Sequence, residues 1–132
     1  MSQTTGKSAL TFLEAATPDQ LLRAAAANHR AWMRRAARAA GGSARRDDGL
    51  LWIYRAEGDS DVTIPFPRLS ARRAGAQLDT VLQCCREIEG LREIACWTLR
   101  EQTLPPDLGV RLAARGFEWG WCPHWMALDL RR

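Results

Sequence analysis

Apolar residues recur at helical spacing in three stretches of the chain and at strand spacing between them. The first stretch is an alanine-rich run reaching about Ala40, which predicts a long helix. Thr17 is placed to cap it, Pro18 to take its first position and Gln20 to complete a capping box, while Gly41-Gly42 ends it. Leu50–Arg55 reads as a strand, Glu57–Asp61 as a turn, and Val62–Leu69 as a second strand weakened by Pro65 and Pro67, the two forming a hairpin. Ala74–Glu89 predicts a helix with Leu78, Val81, Leu82 and Cys85 on its apolar face, stopped by Gly90. Glu93–Leu99 is the next strand, and Pro105-Pro106 open a short helix that Gly116 ends. Phe117, Trp119 and Trp121 then alternate at strand spacing. After Cys122-Pro123-His124, Met126, Leu128 and Leu130 alternate with Trp125, Ala127 and Asp129, so a closing hairpin is expected. Leu10–Glu14 predicts a short edge strand, and residues 1–8 a disordered tail. The expected architecture is a single α+β domain over residues 9–132, a mostly antiparallel mixed sheet flanked by about three helices.

Composition narrows the function classes. A chain of 132 residues with 46% hydrophobic and 26% charged residues has room for one ordinary core. No run approaches the roughly 18 apolar residues of a membrane span, so a cytoplasmic protein without a membrane partner is expected. Cys84, Cys85, Cys96 and Cys122 lack CxxC spacing, which argues against a disulfide framework. With only two histidines, far apart, they give no metal signature. The net charge of +4 is built almost wholly from arginine, Lys7 being the only lysine. With abundant alanine and glycine, that bias is the imprint of a GC-rich bacterial genome. Arg23, Arg30, Arg34 and Arg38 form a stripe on the first helix, with Arg45 and Arg46 beyond it. The stripe is read as a solvated face rather than a phosphate-binding ridge, so no nucleic-acid partner is expected.

Two groups of residues stand out as site candidates. On the first helix Leu22, Ala25, His29, Trp32, Met33 and Ala36 share a stripe with Asn28 at its edge, placing an imidazole and an amide among core positions. Both side chains must find hydrogen bonds there, from neighbouring backbone, from water or from a ligand. In the ligand reading Asn28, His29 and Trp32 line a pocket, and His29 is the best general base in the chain. The second group is the tryptophans on predicted strands, Trp52, Trp97, Trp119, Trp121 and Trp125, which either fill the core or wall an aromatic pocket or dimer surface. No nucleophile motif, phosphate-binding P-loop or paired carboxylate is present.

The helix ending in Gly116-Phe117 and leading into two final strands resembles the closing unit of the GNAT acyltransferase superfamily, and Glu14–Leu22 is similar to its first strand-to-helix junction. The resemblance implies a GNAT-like fold with one helix and one strand fewer in its middle, and three parts of a coenzyme A site. Arg72-Arg73-Ala74-Gly75-Ala76-Gln77 is similar to the family's pyrophosphate loop, but Gln77 stands where a small residue is usual. The strand before it carries Pro65 and Pro67, each without the N–H that would pair with the cofactor's arm. The usual tyrosine acid is lacking between residues 100 and 116, the only tyrosine being Tyr54. More narrowly, Asn28 to Trp32, Pro65-Phe66-Pro67, Pro106-Asp107-Leu108-Gly109 and Pro123 to Leu130 resemble the degenerate amino-terminal half of tandem GNAT proteins. Arg132 lies about where the second domain of such proteins begins. The resemblance therefore implies a module without a bound cofactor, whose partner is a small-molecule ligand, a catalytic GNAT chain or a second copy of itself. The alternative is an N-acetyltransferase that holds acetyl-coenzyme A through Arg72, Arg73, Gly75, Ala76 and Gln77, with His29 as base. A third reading is an acceptor pocket turned to chemistry without a cofactor.

Overall fold

The computed structural model of the chain describes residues 16–56, 60–99 and 102–120. Helix α1 spans Pro18–Ala39, and its start is the expected capping box: the Gln20 N–H donates to Thr17 Oγ1, and the Thr17 N–H donates to Gln20 Oε1. Gly41, at φ 68°, ends it. Gly42 then presses on β2, where an added Cβ would fall onto the Tyr54 carbonyl, so only glycine lets the chain turn directly from helix into sheet.

Strands β1 (Ser43–Asp47) and β2 (Leu50–Arg55) pair antiparallel with Asp47 opposite Leu50. Asp48 and Gly49 form the two-residue turn, both with positive φ, 50° and 79°. That is the requirement of the hairpin turn whose twist matches the strands. Strand β1 was not expected. Its sequence Ser-Ala-Arg-Arg-Asp is too polar to show alternation, because it is an edge strand, but the Asp48-Gly49 pair was a readable hairpin signal.

Strand β3 (Asp61–Pro65) pairs antiparallel with β2, as the expected hairpin. It stops at Pro65 rather than Leu69, because Phe66 turns into the left-handed region at φ 52° and Pro67 has no N–H to offer. Helix α2 (Ala74–Arg86) crosses over to β4 (Glu93–Trp97), which lies parallel to β3. The short helix α3 (Leu108–Ala113) follows, and Gly116 ends its last turn at φ 90°. The sheet order is β1-β2-β3-β4, three antiparallel strands and one parallel. Both α2 and β4 end a few residues earlier than expected. The expected Leu10–Glu14 strand, the residue 1–8 tail and most of the closing hairpin lie outside the described residues; Phe117–Gly120 are described and form no strand.

Strand alternation sorts the core onto two faces. Leu50 and Trp52 of β2 with Val62 and Ile64 of β3 pack against Leu78, Val81 and Cys85 of α2 and Leu108 and Leu112 of α3. On the opposite face Met33 and Ala37 of α1 pack on Ile53, flanked by Ala44 and Trp97. Trp52 is fully buried, and its indole N–H donates to Asp47 Oδ2 at 2.6 Å. An ion pair at 2.7 Å from Arg115 Nε to Asp79 ties the exit of α3 to α2.

Removing the Trp52 ring leaves a large hole in the main core, so Trp52→Ala is expected to cost about 3–5 kcal/mol. Asp47→Ala leaves the buried indole N–H unbonded and is expected to cost about 1–3 kcal/mol. Urea unfolding of both variants checks the order. Burial also raises two thiols, Cys85 to about 11 and Cys96 to about 12. The unfolded chain ionises its thiols near about 8.5, so above that pH it binds fewer protons than the folded one. Stability is therefore whole below pH about 8.5 and falls by about 1 kcal/mol per pH unit for each thiol until the folded values are reached. Unfolding curves at pH 7.5 and 10.5 should show this loss, and a Cys85→Ala, Cys96→Val double variant should lack it.

Candidate functional site

Helix α1 crosses the sheet face opposite α2, and its rotation decides what meets there. Its buried residues are Ala26, Met33 and Ala37, with His29 and Arg30 half-buried between them. The expected stripe is displaced by about one position: Asn28 is exposed, and Trp32 is 62% exposed rather than buried. The alanines at 24–27, 36, 37, 39 and 40 fit either phase, so the sequence pattern could not set the rotation.

His29 lies against three rings, with centroids 5.7 Å from Trp32, 5.8 Å from Phe66 and 5.7 Å from Trp97. The contact with Phe66 is edge-on, at 84°. Phe66 is held where a bulky residue is rarely found, at a cost of order 1–3 kcal/mol, and its N–H donates to the Trp97 carbonyl at 2.8 Å. A strained residue packed at the end of a parallel strand pair is a feature that clusters at functional sites.

Beside this aromatic group a groove opens at the carboxyl ends of β3 and β4. Its inner part, of about 140 Å³, is lined by Arg23, Ala26 and Arg30 from α1, by Phe66, Pro67 and Arg68 after β3, and by Leu99, Gln102 and Thr103 after β4. An outer part of about 280 Å³ shares Arg23, Arg68, Gln102 and Thr103, and adds Asp19, Leu104 and Pro106. The groove exists because the parallel pair parts. Phe66 still bonds Trp97, and the two runs meet again only where Arg68 bridges Leu104, with Leu69 N–H donating to the Leu104 carbonyl at 2.9 Å. Gln102 Nε2 donates to Asp19 Oδ1 at 2.9 Å, tying the groove's rim to the start of α1, while Gln102 Oε1 is buried with no partner among the described residues. His29 touches Phe66 but does not itself line the groove.

Among the described residues the charge of the groove is mostly positive, with Asp19 on its outer part. Arg30 is held below the ordinary arginine range, first by burial and then by the nearby Arg34 and Arg46 guanidiniums. Among the described residues, no carboxylate forms an ion pair with Arg23, Arg30 or Arg68.

The loop similar to a pyrophosphate site sits at the head of α2, and the chain's own groups occupy it. Arg73 pairs with the Asp48 carboxylate at the β1–β2 turn. Gln77 is buried, and its Nε2 donates to the Asp48 carbonyl at 2.9 Å. Gly75 lies under Arg115, whose Nη2 donates to the Gly75 carbonyl at 3.3 Å. Arg72 and Ala76 are exposed.

Of the described candidate tryptophans, Trp32 and Trp97 come together, around His29. Trp52 lies in the core on the other sheet face. Trp119 is 89% exposed, its ring next to Gly109, and Trp121 and Trp125 lie outside the described residues. Among the described residues, no group of three or more His, Cys, Asp or Glu side chains is placed to hold a metal ion, and no helix is long and apolar enough to cross a membrane.

Sequence reasoning passed over the groove. Of the stripe expected to be solvated, Arg23 is exposed at the groove's edge and Arg30 half-buried within it, while Arg68, Leu99, Gln102 and Thr103 carry no sequence motif. The signal that points there is the strand–helix–strand order of β3, α2 and β4, which makes a parallel pair and puts ligands at the strands' carboxyl ends. The chain matches no family model, and no curated protein and no solved structure is significantly similar to it.

Because Arg30 is partly desolvated among like charges, Arg30→Gln is expected to raise the melting temperature by a few degrees at low ionic strength. The gain should shrink in about 0.5 M salt. Thermal unfolding at two salt concentrations checks this; a loss of stability in both would mean that Arg30 is compensated within the fold.

Proposed function

We propose that the chain is a GNAT-like module that binds a small molecule in the groove between α1 and the carboxyl ends of β3 and β4, and does not hold coenzyme A. The observation that carries the reading is the pairing of two sites on one sheet. The head of α2 is filled by Asp48 and Gln77, whereas the groove lined by Arg23, Arg30 and Arg68 is open. The order helix, three strands, crossover helix, strand, helix supports GNAT likeness, since β1 supplies a middle strand that the sequence reading lacked. His29 acts in this reading as a brace for Phe66 and Trp97 rather than as a base. The module works in the cytoplasm, alone, as a dimer or beside a catalytic GNAT chain, and the exposed Trp119 supplies an apolar contact for such a partner.

One observation favours the alternative, an N-acetyltransferase using acetyl-coenzyme A. Arg72–Gln77 does stand at the head of α2, on the crossover from the parallel strand β3. Calorimetric titration with coenzyme A and acetyl-coenzyme A separates the two. The proposed module takes up neither at millimolar concentration in a folded sample, while fragments from a general library shift the backbone amides of Arg68, Leu99 and Thr103 in NMR spectra. Micromolar cofactor binding that Arg72→Ala abolishes would instead establish the acetyltransferase reading.

A further inference from the structure

We infer that the ligand of the groove is a small organic anion, a carboxylate or phosphate monoester carrying an apolar body about the size of one aromatic ring. The inference rests on the proposed ligand-binding reading and names the class of ligand. Three arginines, Arg23, Arg30 and Arg68, line one small space from two separate segments of chain, Arg30 half-buried and the other two exposed. Elsewhere in the described structure arginines pair with carboxylates, Arg55 with Asp61, Arg73 with Asp48, Arg111 with Asp107 and Arg115 with Asp79. Among the described residues the groove arginines have no such ion pair, and Arg30 is partly desolvated beside Arg34 and Arg46. A partly buried guanidinium without a counter-charge is costly, and an anion that accepts its planar N–H fork removes that cost.

The body of the ligand follows from the walls. Phe66, Pro67, Leu99 and Ala26 give the inner part an apolar lining. Its volume of about 140 Å³ compares with the cavity of about 150 Å³ known to accept benzene. A free inorganic anion would leave that lining wet, and a neutral aromatic would leave the arginines unmatched. Only a molecule with both parts satisfies both.

The test is an NMR titration of the full chain, at constant ionic strength, with benzoate, phenyl phosphate, neutral benzamide and inorganic phosphate. The tighter of the two aryl anions tells carboxylate from phosphate. Their binding should shift the amides of Arg68, Leu99 and Thr103, with affinity about tenfold or more above that of benzamide. Arg30→Gln and Arg68→Gln should each weaken it by about fivefold or more while the protein stays folded. Benzamide binding as tightly as the anions, or unchanged affinity in both variants, would overturn the anionic part. Inorganic phosphate binding as tightly as phenyl phosphate would overturn the aromatic part. If none of the four binds while an unrelated neutral fragment occupies the groove, the inference fails and the ligand-binding reading stands. If no fragment of any class shifts the groove amides, both fall.

Discussion

The tip of the β1–β2 hairpin is the constraint on which the rest of the structure depends. Asp47 accepts the indole N–H of Trp52, the central side chain of the main core. The next residue, Asp48, accepts from buried Gln77 through its carbonyl and pairs with Arg73 through its carboxylate. Asp48 thus pins the sheet to the first turn of α2, while Asp47 ties β1 to Trp52 of the core. That helix is the crossover between β3 and β4, so its position sets the parallel pair and, beyond it, the place where the pair parts. The positive φ at Asp48 and Gly49 makes the tip tight enough to reach α2. A longer turn would have to bridge the same distance without a fixed register.

Charge is distributed unevenly across this frame. Surface ion pairs such as Arg111 with Asp107, one helical turn apart, contribute little each, about 0–1 kcal/mol. They matter here as a contrast. Carboxylates accompany arginines along the α2 and α3 side, but along the α1 side Arg30, Arg34 and Arg46 stand together, and Arg23 and Arg68 complete the groove. Asp19, the acidic residue among the described residues of the groove, accepts from Gln102. Among the described residues the groove keeps an excess of positive charge that solvent anions or a ligand can meet.

Much of the fold was legible in the sequence, for identifiable reasons. The capping box of Thr17 and Gln20, the glycine stops at Gly41 and Gly116, and the apolar face of α2, where Leu78, Val81 and Cys85 are buried and Leu82 half-buried, are local signals that tertiary packing did not override, whereas α2 ends at Arg86, short of Gly90. Strand β1 was not legible from periodicity, because an edge strand of Arg45 and Arg46 buries little, and only its Asp-Gly turn spoke for it. The rotation of α1 was hidden by alanine, which suits a buried and an exposed position equally. The groove was the least legible, since it is made by residues of three segments that meet only when β3 and β4 lie parallel. Pro65-Phe66-Pro67 marked the place without explaining it. What the prolines do is end a strand, and Phe66 between them carries the strain of the turn.

The two anion-suited places on this sheet differ in what a ligand must displace. At the head of α2, the exposed pair of Arg73 with Asp48 is cheap to break, but the bond from buried Gln77 to the Asp48 carbonyl is not. An incoming phosphate would also meet the Asp48 carboxylate, a like charge already set at the helix's positive end. At the groove no described group of the chain has to leave. Phe66 is fixed by its bond to Trp97 and by the His29 ring, and the strain at Phe66 has been met by folding rather than left for binding. A preorganised pocket loses less of its contact energy to ordering than one that must first be opened. The physical asymmetry favours the groove, whatever the ancestry of the loop at α2.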